Sequence, residues 1–180
     1  MTPRPGERPA SKTKLERIKV IALDVDGVLT SGNIQLDGNG NEIKEFNVQD
    51  GLGLALLAKA GFKTAIISAR KSKAVRARAS ELKIDRLYQG ASPKEKAYER
   101  MLREFKVSSR DVCFMGDDLN DIRVLRRSGF AVAVPAAAPE VKRVVDYVTK
   151  RGGGSGAVRE LSELILKATG KWKGVIEEYC

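Results

Sequence analysis

Residues 18–30 read IKVIALDVDGVLT, an apolar run that ends in two aspartates and a glycine. A continuous apolar run bounded by glycine is typical of a strand that is buried on both faces of a parallel sheet. Asp24 and Asp26 come directly after the run, where the chain leaves the strand. This stretch predicts the central strand of an α/β fold, with carboxylates at its carboxyl end.

The rest of the chain alternates apolar runs with helical patterns. Further strands are predicted at residues 62–68, 86–88, 112–115 and 131–134, with an edge strand at 146–149. Helices are predicted at residues 52–60, 71–82, 93–105, 119–127, 139–144 and 157–168. Asp50 is expected to cap the first of these helices. The alternation indicates a doubly wound, mostly parallel sheet with helices on both faces.

Residues 32–48 interrupt this alternation. Apolar residues alternate on both sides of Asp37-Gly38-Asn39-Gly40, which is the composition of a β-hairpin and its turn. Asp26 and Ser68 are separated by 41 residues, and the hairpin and one helix account for nearly all of them. We therefore expect a capless fold with a projecting hairpin, and a homo-oligomer in which a second subunit helps to exclude water.

The composition limits the chemistry. The 180 residues fit one domain, and none of them is histidine. This excludes histidine bases, Ser-His-Asp triads and ordinary zinc sites. The two cysteines, Cys113 and Cys180, form no disulfide framework, and Cys113 lies in an apolar run typical of a core.

The chain is strongly basic. It carries 33 Lys and Arg against 23 Asp and Glu, a net charge of +10, which attracts anions without selecting a partner. No nucleic-acid recognition module, membrane span or secretory signal is evident, so we expect a cytoplasmic protein with no nucleic-acid or membrane partner. Residues 1–17 are expected to be a disordered basic leader, residues 18–170 the folded domain and residues 171–180 a C-terminal tail.

Polar residues follow four successive strands. Asp24 and Asp26 follow the first, Ser68 the second, Lys94 comes near the third, and residues 116–121, GDDLND, follow the fourth. In such sheets ligands bind at the carboxyl ends of the strands. Crowded carboxylates require a cation, and a donor set of oxygens alone favours Mg²⁺. Because no histidine or reactive cysteine is available, a carboxylate of the Asp24 and Asp26 pair is the expected nucleophile for phosphoryl transfer.

These motifs in this order resemble the four motifs of the haloacid dehalogenase superfamily of phosphotransferases. More narrowly, residues 18–170 are similar to the 3-deoxy-D-manno-octulosonate 8-phosphate (KDO 8-phosphate) phosphatases, in stretches such as DVDGVLTSGNI, FNVQDGLG and GDDLND. The resemblance implies a tetrameric, magnesium-dependent enzyme of lipopolysaccharide sugar synthesis. It would hydrolyse a sugar-acid phosphate through an aspartyl phosphate.

The resemblance also implies roles for the motif residues. Asp24 would be the nucleophile and a metal ligand. Asp26 would be the general acid and base, and would also bind the metal through its main-chain carbonyl. Asp117 would complete the protein ligands of Mg²⁺. The remaining motif residues would bind phosphate (Ser68, Lys94), support the metal (Asp118) or hold Lys94 (Asp121).

The resemblance further implies that the hairpin, the Asp50-Gly51 turn and the glycine-rich residues 151–156 contact the sugar, in part from a neighbouring subunit. The candidate contact residues are Asn33, Asp50, Gly51, Arg70 and Arg78. Three positions depart from the family pattern: Ala69 replaces a usual glycine, and Gln49 and Ser155 replace arginines that are often present. A sialic-type 9-phosphate, or another small phosphorylated metabolite, therefore stays an alternative substrate.

Other interpretations of these segments remain open at this point. A receiver-type phospho-switch also uses an acidic magnesium cluster, but it places its phospho-acceptor after the third strand. GDDLND also works as a helix N-terminal cap, and RGGGSG is most simply a flexible hinge. Arg70 and Arg78 are either anion ligands or solvated helix residues.

Overall fold

The computed structural model describes residues 11–179. Within them, the strands are β1 (Val20–Leu23), β2 (Gln35–Leu36), β3 (Glu42–Ile43), β4 (Lys63–Ser68), β5 (Arg86–Gln89), β6 (Val112–Gly116), β7 (Phe130–Ala133) and β8 (Tyr147–Val148). Six of them form one sheet in the order β5-β4-β1-β6-β7-β8, and every neighbouring pair is parallel. The predicted α/β fold is confirmed, with β1 at the centre.

The helices flank this sheet. They are α1 (Lys12–Glu16), α2 (Val48–Lys59), α3 (Lys73–Glu81), α4 (Lys94–Phe105), α5 (Ile122–Arg127), α6 (Pro139–Lys142), α7 (Ala157–Ala168) and α8 (Trp172–Ile176). Helix α2 packs on α7, and α4 packs on β4 and α5. No helix within residues 11–179 has both the length and the apolar character that crossing a bilayer requires.

Apolar patterning explains these elements. All four residues of β1 are buried, as expected for a strand covered on both faces. Helix α7 buries Val158, Leu161 and Ile165, whose spacing of three to four residues makes one apolar stripe. Helix α2 begins earlier than the sequence predicts. Its N-cap is Asn47, whose side chain accepts a hydrogen bond from the Gln49 main-chain N–H, so the expectation that Asp50 caps this helix is wrong.

Strands β2 and β3 pair in antiparallel fashion as the predicted hairpin. Asp37 stabilises the turn, because one of its carboxylate oxygens accepts hydrogen bonds from the Asn39 and Asn41 main-chain N–H groups, each at 2.8 Å. Ile34, Leu36 and Ile43 are exposed on this hairpin. The hairpin therefore presents apolar side chains outside the core.

The ends of the folded region differ from the predicted boundaries. Residues 12–16 form α1 rather than part of a disordered leader, and Leu15 is buried against the core. Residues 1–10, the rest of the predicted leader, and Cys180 lie outside the described residues. The predicted tail contains α8, in which Val175 is buried. The packed core therefore extends beyond both ends of the predicted domain, residues 18–170.

Candidate active site

Polar side chains converge at the carboxyl edge of the sheet. Asp24 follows β1, Ser68 ends β4, Asp117 follows β6, and Lys94 begins α4. A cavity of about 210 Å³ lies between them. Its lining residues are Asp24, Asp26, Gly32, Ser68, Ala69, Arg70, Lys94, Asp117, Asp118 and Asn120. Because parallel strands all end at this edge, residues from four distant motifs meet here.

Lys94 is a buried cation between two carboxylates. Its Nζ lies 2.6 Å from Asp24 Oδ2 and 2.7 Å from Asp121 Oδ1, and its side chain is 1% exposed. Burial by itself lowers the pKa of Lys94, but the two carboxylates raise this pKa overall. Lys94 therefore keeps a positive charge beside Asp24.

Asp121 connects Lys94 to the loop that follows β6. One of its carboxylate oxygens accepts the hydrogen bond from Lys94, and the other accepts hydrogen bonds from the Asp117 and Asp118 main-chain N–H groups at 3.0 and 3.3 Å. Gly116 leaves room for this carboxylate, since a Cβ there would lie 2.6 Å from Asp121 Cγ. Through these hydrogen bonds, the buried Asp121 carboxylate stabilises the loop that carries Asp117 and Asp118.

Asp117 has an unpaired buried oxygen. Its Oδ1 has no hydrogen-bond partner among the residues that the structure describes. Carboxylate oxygens of Asp24, Asp117 and Asp121 lie within 4.8 Å of one another. Burial, followed by repulsion from neighbouring carboxylates, raises the pKa of Asp117 to about 7 and that of Asp24 to about 6. A hard divalent cation fits this group, and the unpaired Asp117 Oδ1 is an oxygen free to bind it, whereas both Asp121 oxygens and both Asp24 oxygens already have partners.

Gly27 allows Asp117 to approach the loop that follows β1. Its φ is 82°, in the left-handed region, and an added Cβ would lie 2.0 Å from Asp117 Oδ2. Both observations require glycine. The glycine of the DVDG motif therefore contributes to the site because it has no side chain that would clash with Asp117.

Asp26 lies between the cavity and the hairpin. Lys44 Nζ contacts Asp26 Oδ1 and lies 3.3 Å from Glu42 Oε1, which in turn lies 2.6 Å from Arg70 Nη2. The sequence interpretation missed Lys44 and Glu42. A signal was present, because residues two apart on a strand share one face, and these two charged residues flank the exposed Ile43.

The other cavity residues agree in part with the sequence. Ser68 is 3% exposed at the end of β4. Asp118 lines the cavity and also accepts a hydrogen bond from the Leu119 main-chain N–H at 2.8 Å, so it combines a capping position with access to the site. Asn120 lies in the GDDLND motif but was not singled out, and Gly32 was also missed.

Asp50 does not lie where a sugar contact is expected. It is 1% exposed, and its two oxygens accept hydrogen bonds from the Gly156 and Arg159 main-chain N–H groups at 3.2 and 2.8 Å. Its carboxylate therefore caps the start of α7. Among the five predicted sugar contacts, Arg70 lines the cavity.

Gly51 and Arg78 pack against each other outside the cavity lining. A Cβ on Gly51 would lie 2.5 Å from Arg78 Nη2, so the glycine makes room for the guanidinium. Arg78 also pairs with Glu81 at 2.8 Å and lies over the Phe46 ring. Asn33 is exposed and does not line the cavity either. Within one subunit these three residues therefore lie outside the cavity lining, and their contact with a sugar bound at a neighbouring subunit stays a prediction.

The glycine-rich residues 151–156 pack against the loop after β1 of the same chain. The Gly154 main-chain N–H donates a hydrogen bond to Val28 O at 3.0 Å. A Cβ on Gly153 would lie 1.8 Å from Gly27 O. The segment is therefore a close-packed wall beside the site, and the flexible-hinge interpretation is wrong.

Aspartates after β1, a lysine at the start of α4 and an acidic loop after β6, on a doubly wound parallel sheet, define the class of haloacid dehalogenase-like hydrolases. Residues 87–161 match the sequence model of that family. The chain is also 44% identical over 163 residues to 3-deoxy-D-manno-octulosonate 8-phosphate phosphatase KdsC of Salmonella typhimurium, covering 91% of this chain and 87% of that protein. The chain belongs to the KDO 8-phosphate phosphatase family.

Solved structures show the same similarity in three dimensions. The KDO 8-phosphate phosphatase of Moraxella catarrhalis, solved with magnesium, phosphate and KDO, is 40% identical, with a TM-score of 0.92 over 94% of this chain and 97% of that chain. The cobalt-bound phosphatase of Haemophilus influenzae is 40% identical, with a TM-score of 0.85 over 88% of this chain and 92% of that chain. Because the chain belongs to a family of hydrolases, the receiver-type phospho-switch is no longer an alternative.

Proposed function

We propose that this protein is a magnesium-dependent phosphomonoesterase that hydrolyses KDO 8-phosphate to KDO and inorganic phosphate. The observation that carries the proposal is the meeting of Asp24, Lys94 and the unpaired Asp117 oxygen at one cavity. Phosphoryl transfer requires a nucleophile, a fixed positive charge and a cation site in this arrangement. The choice of substrate rests on the relatives, which are 44% identical over 91% of the chain.

The donor set suits Mg²⁺. The Asp24 and Asp117 carboxylates and the Asp26 main-chain carbonyl would hold the ion, and Asp118 would support its outer shell. When bound, the ion offsets repulsion between the carboxylates and polarises the phosphoryl oxygens. Lys94 and Ser68 would bind phosphoryl oxygens from the protein side, Lys94 with a charge that its two carboxylates keep in place.

In the first half-reaction, a carboxylate oxygen of Asp24 attacks phosphorus. A bond forms between Asp24 and phosphorus, the bond from phosphorus to the sugar C8 oxygen breaks, and the electron pair of that bond stays on the sugar oxygen. Asp26 gives this oxygen a proton and becomes a carboxylate. The products are the free sugar and an aspartyl phosphate at Asp24.

In the second half-reaction, Asp26 takes a proton from water while the water oxygen attacks phosphorus. The bond between Asp24 and phosphorus breaks, and its electron pair returns to the Asp24 carboxylate. Inorganic phosphate leaves, and both aspartates regain their starting states. The position of Asp26 suits this shuttle, since it lines the cavity and its side chain is 26% exposed.

Arg70 is our proposed contact for the sugar acid. Besides Lys94, it is the cation in the cavity lining among the described residues, and its side chain is 43% exposed. Gln49 lacks the charge that the family often has there, but Arg151 Nη1 lies 2.6 Å from Gln49 Oε1. A guanidinium from the glycine-rich segment thus lies beside position 49.

The proposed assembly is a capless homo-oligomer, a tetramer, in which a second subunit covers the hairpin. Leu36 and Ile43 on the hairpin are 63% and 51% exposed, and Val48 at the start of α2 is 79% exposed. Clusters of exposed apolar residues often mark interfaces between proteins. Covering this region would also limit water near the open cavity.

A cytoplasmic location is likewise proposed. A sugar-acid phosphate carries several negative charges and does not cross a bilayer unaided, so the enzyme would act in the compartment where its substrate is made. Cell fractionation with an antibody against the protein checks this location, and recovery in a periplasmic fraction would contradict it.

The test of the function is release of inorganic phosphate from a panel of substrates, with Mg²⁺ or with EDTA. We expect KDO 8-phosphate to give the highest kcat/KM, EDTA to abolish turnover and added Mg²⁺ to restore it. A higher kcat/KM for a sialic-type 9-phosphate would contradict the proposed substrate. Turnover that persists in EDTA would contradict the proposed metal chemistry.

A further inference from the structure

Lys44 is a buried lysine that the reaction scheme above does not use. It follows β3 of the hairpin, and its side chain is 2% exposed. Its Nζ contacts Asp26 Oδ1 and lies 3.3 Å from Glu42 Oε1. One ammonium is thus enclosed by two carboxylates, one of which belongs to the catalytic motif.

The inward direction of this side chain requires an explanation. Burying an ammonium costs free energy unless it is well paired, and the neighbouring Ile43 and Glu45 of the hairpin are exposed. Lys44 instead packs towards Asp26. Within the described chain, Asp26 Oδ2 accepts no hydrogen bond, and Asp26 lines the cavity. One oxygen of Asp26 is therefore held, while the other is free to meet a substrate.

We propose that Lys44 is a positioning residue for Asp26. The contact between the Lys44 ammonium and Oδ1 holds the Asp26 carboxyl group so that Oδ2, which carries the proton in the first half-reaction, meets the leaving oxygen of the substrate. Glu42 is the second partner of the ammonium, and it also pairs with Arg70, whose Nη2 lies 2.6 Å from Glu42 Oε1. The inference rests on the proposed proton-transfer role of Asp26 and requires no particular sugar.

The test compares the wild-type protein with Lys44→Met on KDO 8-phosphate and on p-nitrophenyl phosphate, both with Mg²⁺. The sugar alkoxide must be protonated as it leaves, whereas p-nitrophenolate leaves without a proton. Because kcat/KM reports the steps up to release of the first product, later activation of water does not enter it. We expect kcat/KM to fall about 100-fold for KDO 8-phosphate and to change little for p-nitrophenyl phosphate.

Three further variants separate positioning from general damage. Lys44→Arg keeps the charge and is expected to recover part of the loss. Glu42→Gln breaks the Glu42 ion pairs but keeps the contact between Lys44 and Asp26, so it should not produce the same leaving-group selectivity. Lys63→Met is a control for loss of an ion-paired lysine away from the site, because Lys63 pairs with Asp85 at 2.9 Å at the end of β4 remote from the cavity.

Thermal denaturation and inhibition by vanadate check the fold and the phosphate site of each variant, and Lys44→Gln replaces Lys44→Met if the latter does not fold. Equal loss on both substrates, no loss on either, or the same selective loss in Glu42→Gln would overturn the proposal. Wild-type protein that hydrolyses p-nitrophenyl phosphate but not KDO 8-phosphate would instead show the proposed substrate to be wrong. The comparison would then use another alkyl phosphate that the protein hydrolyses.

Discussion

Lys94 is the residue on which the charge balance of the catalytic edge depends. Among the described residues, the carboxylates of Asp24, Asp117 and Asp121 gather around this one ammonium. When all four groups are ionised, the cluster carries two net negative charges, which is the charge that one divalent cation neutralises. This balance gives a physical reason for a magnesium requirement that does not depend on family membership.

Replacing Asp24 by asparagine tests its role as nucleophile. The side-chain amide would keep nearly the same shape as the carboxylate but could not form an acyl phosphate, so we expect kcat to fall on the order of 10⁴-fold or more. The measurement is steady-state turnover, with circular dichroism to show that the fold persists. Turnover near the wild-type rate in Asp24→Asn would contradict the assigned role.

Asp50→Ala tests whether Asp50 is a helix cap or a sugar contact. The change removes two hydrogen bonds to main-chain N–H groups at the start of α7, and we expect a loss of about 1–3 kcal/mol in the free energy of unfolding. KM should stay nearly constant. Urea denaturation and steady-state kinetics measure the two quantities, and Asp37→Ala, at an exposed hairpin turn, is the control with a smaller expected loss. A raised KM at unchanged stability would favour the sugar contact.

At the scale of elements, the loop after β1 and the glycine-rich segment before α7 form one packed unit. Gly153 and Gly154 lie so close to the loop that a Cβ on either would lie within 3 Å of its main chain. The Asp50 carboxylate holds the end of the same segment where α7 begins. Elements far apart in the chain therefore determine the position of the DVDG loop together.

Gly153→Ala is expected to reduce both activity and stability. The added Cβ would lie 1.8 Å from Gly27 O, so one of the two main-chain segments must move, at a cost of about 1–3 kcal/mol. Gly152→Ala is the matched control, because no atom lies within 4 Å of a Cβ there and the expected change is within about 0.5 kcal/mol. Thermal denaturation and kcat/KM measure both variants. Equal behaviour of the two would show that the close packing does not matter.

At the scale of the whole molecule, the site exists because six parallel strands end at one edge. Burying carboxylates there opposes folding when they are ionised, since the unfolded chain hydrates them fully. The carboxylates that make this edge reactive therefore also make the stability of the fold depend on pH and on a bound cation.

The stability of the metal-free protein is expected to fall as the pH rises from about 4 to about 7. Burial and neighbouring carboxylates raise the folded-state pKa of Asp24 from 3.8 to about 6 and that of Asp117 from 3.8 to about 7. The folded state thus holds protons that the unfolded chain has released, and their stabilising contribution is lost as pH rises through these values. Scanning calorimetry in EDTA measures the decline.

Excess Mg²⁺ should remove this decline, because it binds the ionised carboxylates of the folded protein. Asp117→Asn is the control, and it should weaken the pH dependence in EDTA. An identical pH dependence of Tm with and without Mg²⁺ would contradict the assignment of these carboxylates to the cation.

Leu36→Glu tests the proposed oligomer. Leu36 is 63% exposed on the hairpin, so a charge there should leave the subunit folded but oppose burial in an interface. We expect sedimentation at a lower mass than wild type and reduced kcat/KM. Tyr179→Glu, at a residue 64% exposed near the C-terminal end, is the control that should sediment as wild type does. An unchanged mass for Leu36→Glu would place the interface elsewhere.

Local patterns in the sequence were enough to predict the sheet, its central strand and the motif residues at its edge. A buried parallel strand needs consecutive apolar residues, and a helix that packs on one side needs an apolar stripe, so each is visible within one short segment. The motif order then placed Asp24, Ser68, Lys94 and Asp117 at successive strand ends. These inferences needed no knowledge of which side chains touch.

Tertiary structure alone decided which polar groups meet. Lys44 and Asp26 are 18 residues apart, and Asp50 and Gly156 are 106 residues apart, yet each pair is in contact. Whether a carboxylate faces a cavity or caps a helix depends on how the hairpin and α7 pack on the sheet. That packing is the sum of many weak contacts between distant segments, which no short segment of sequence contains.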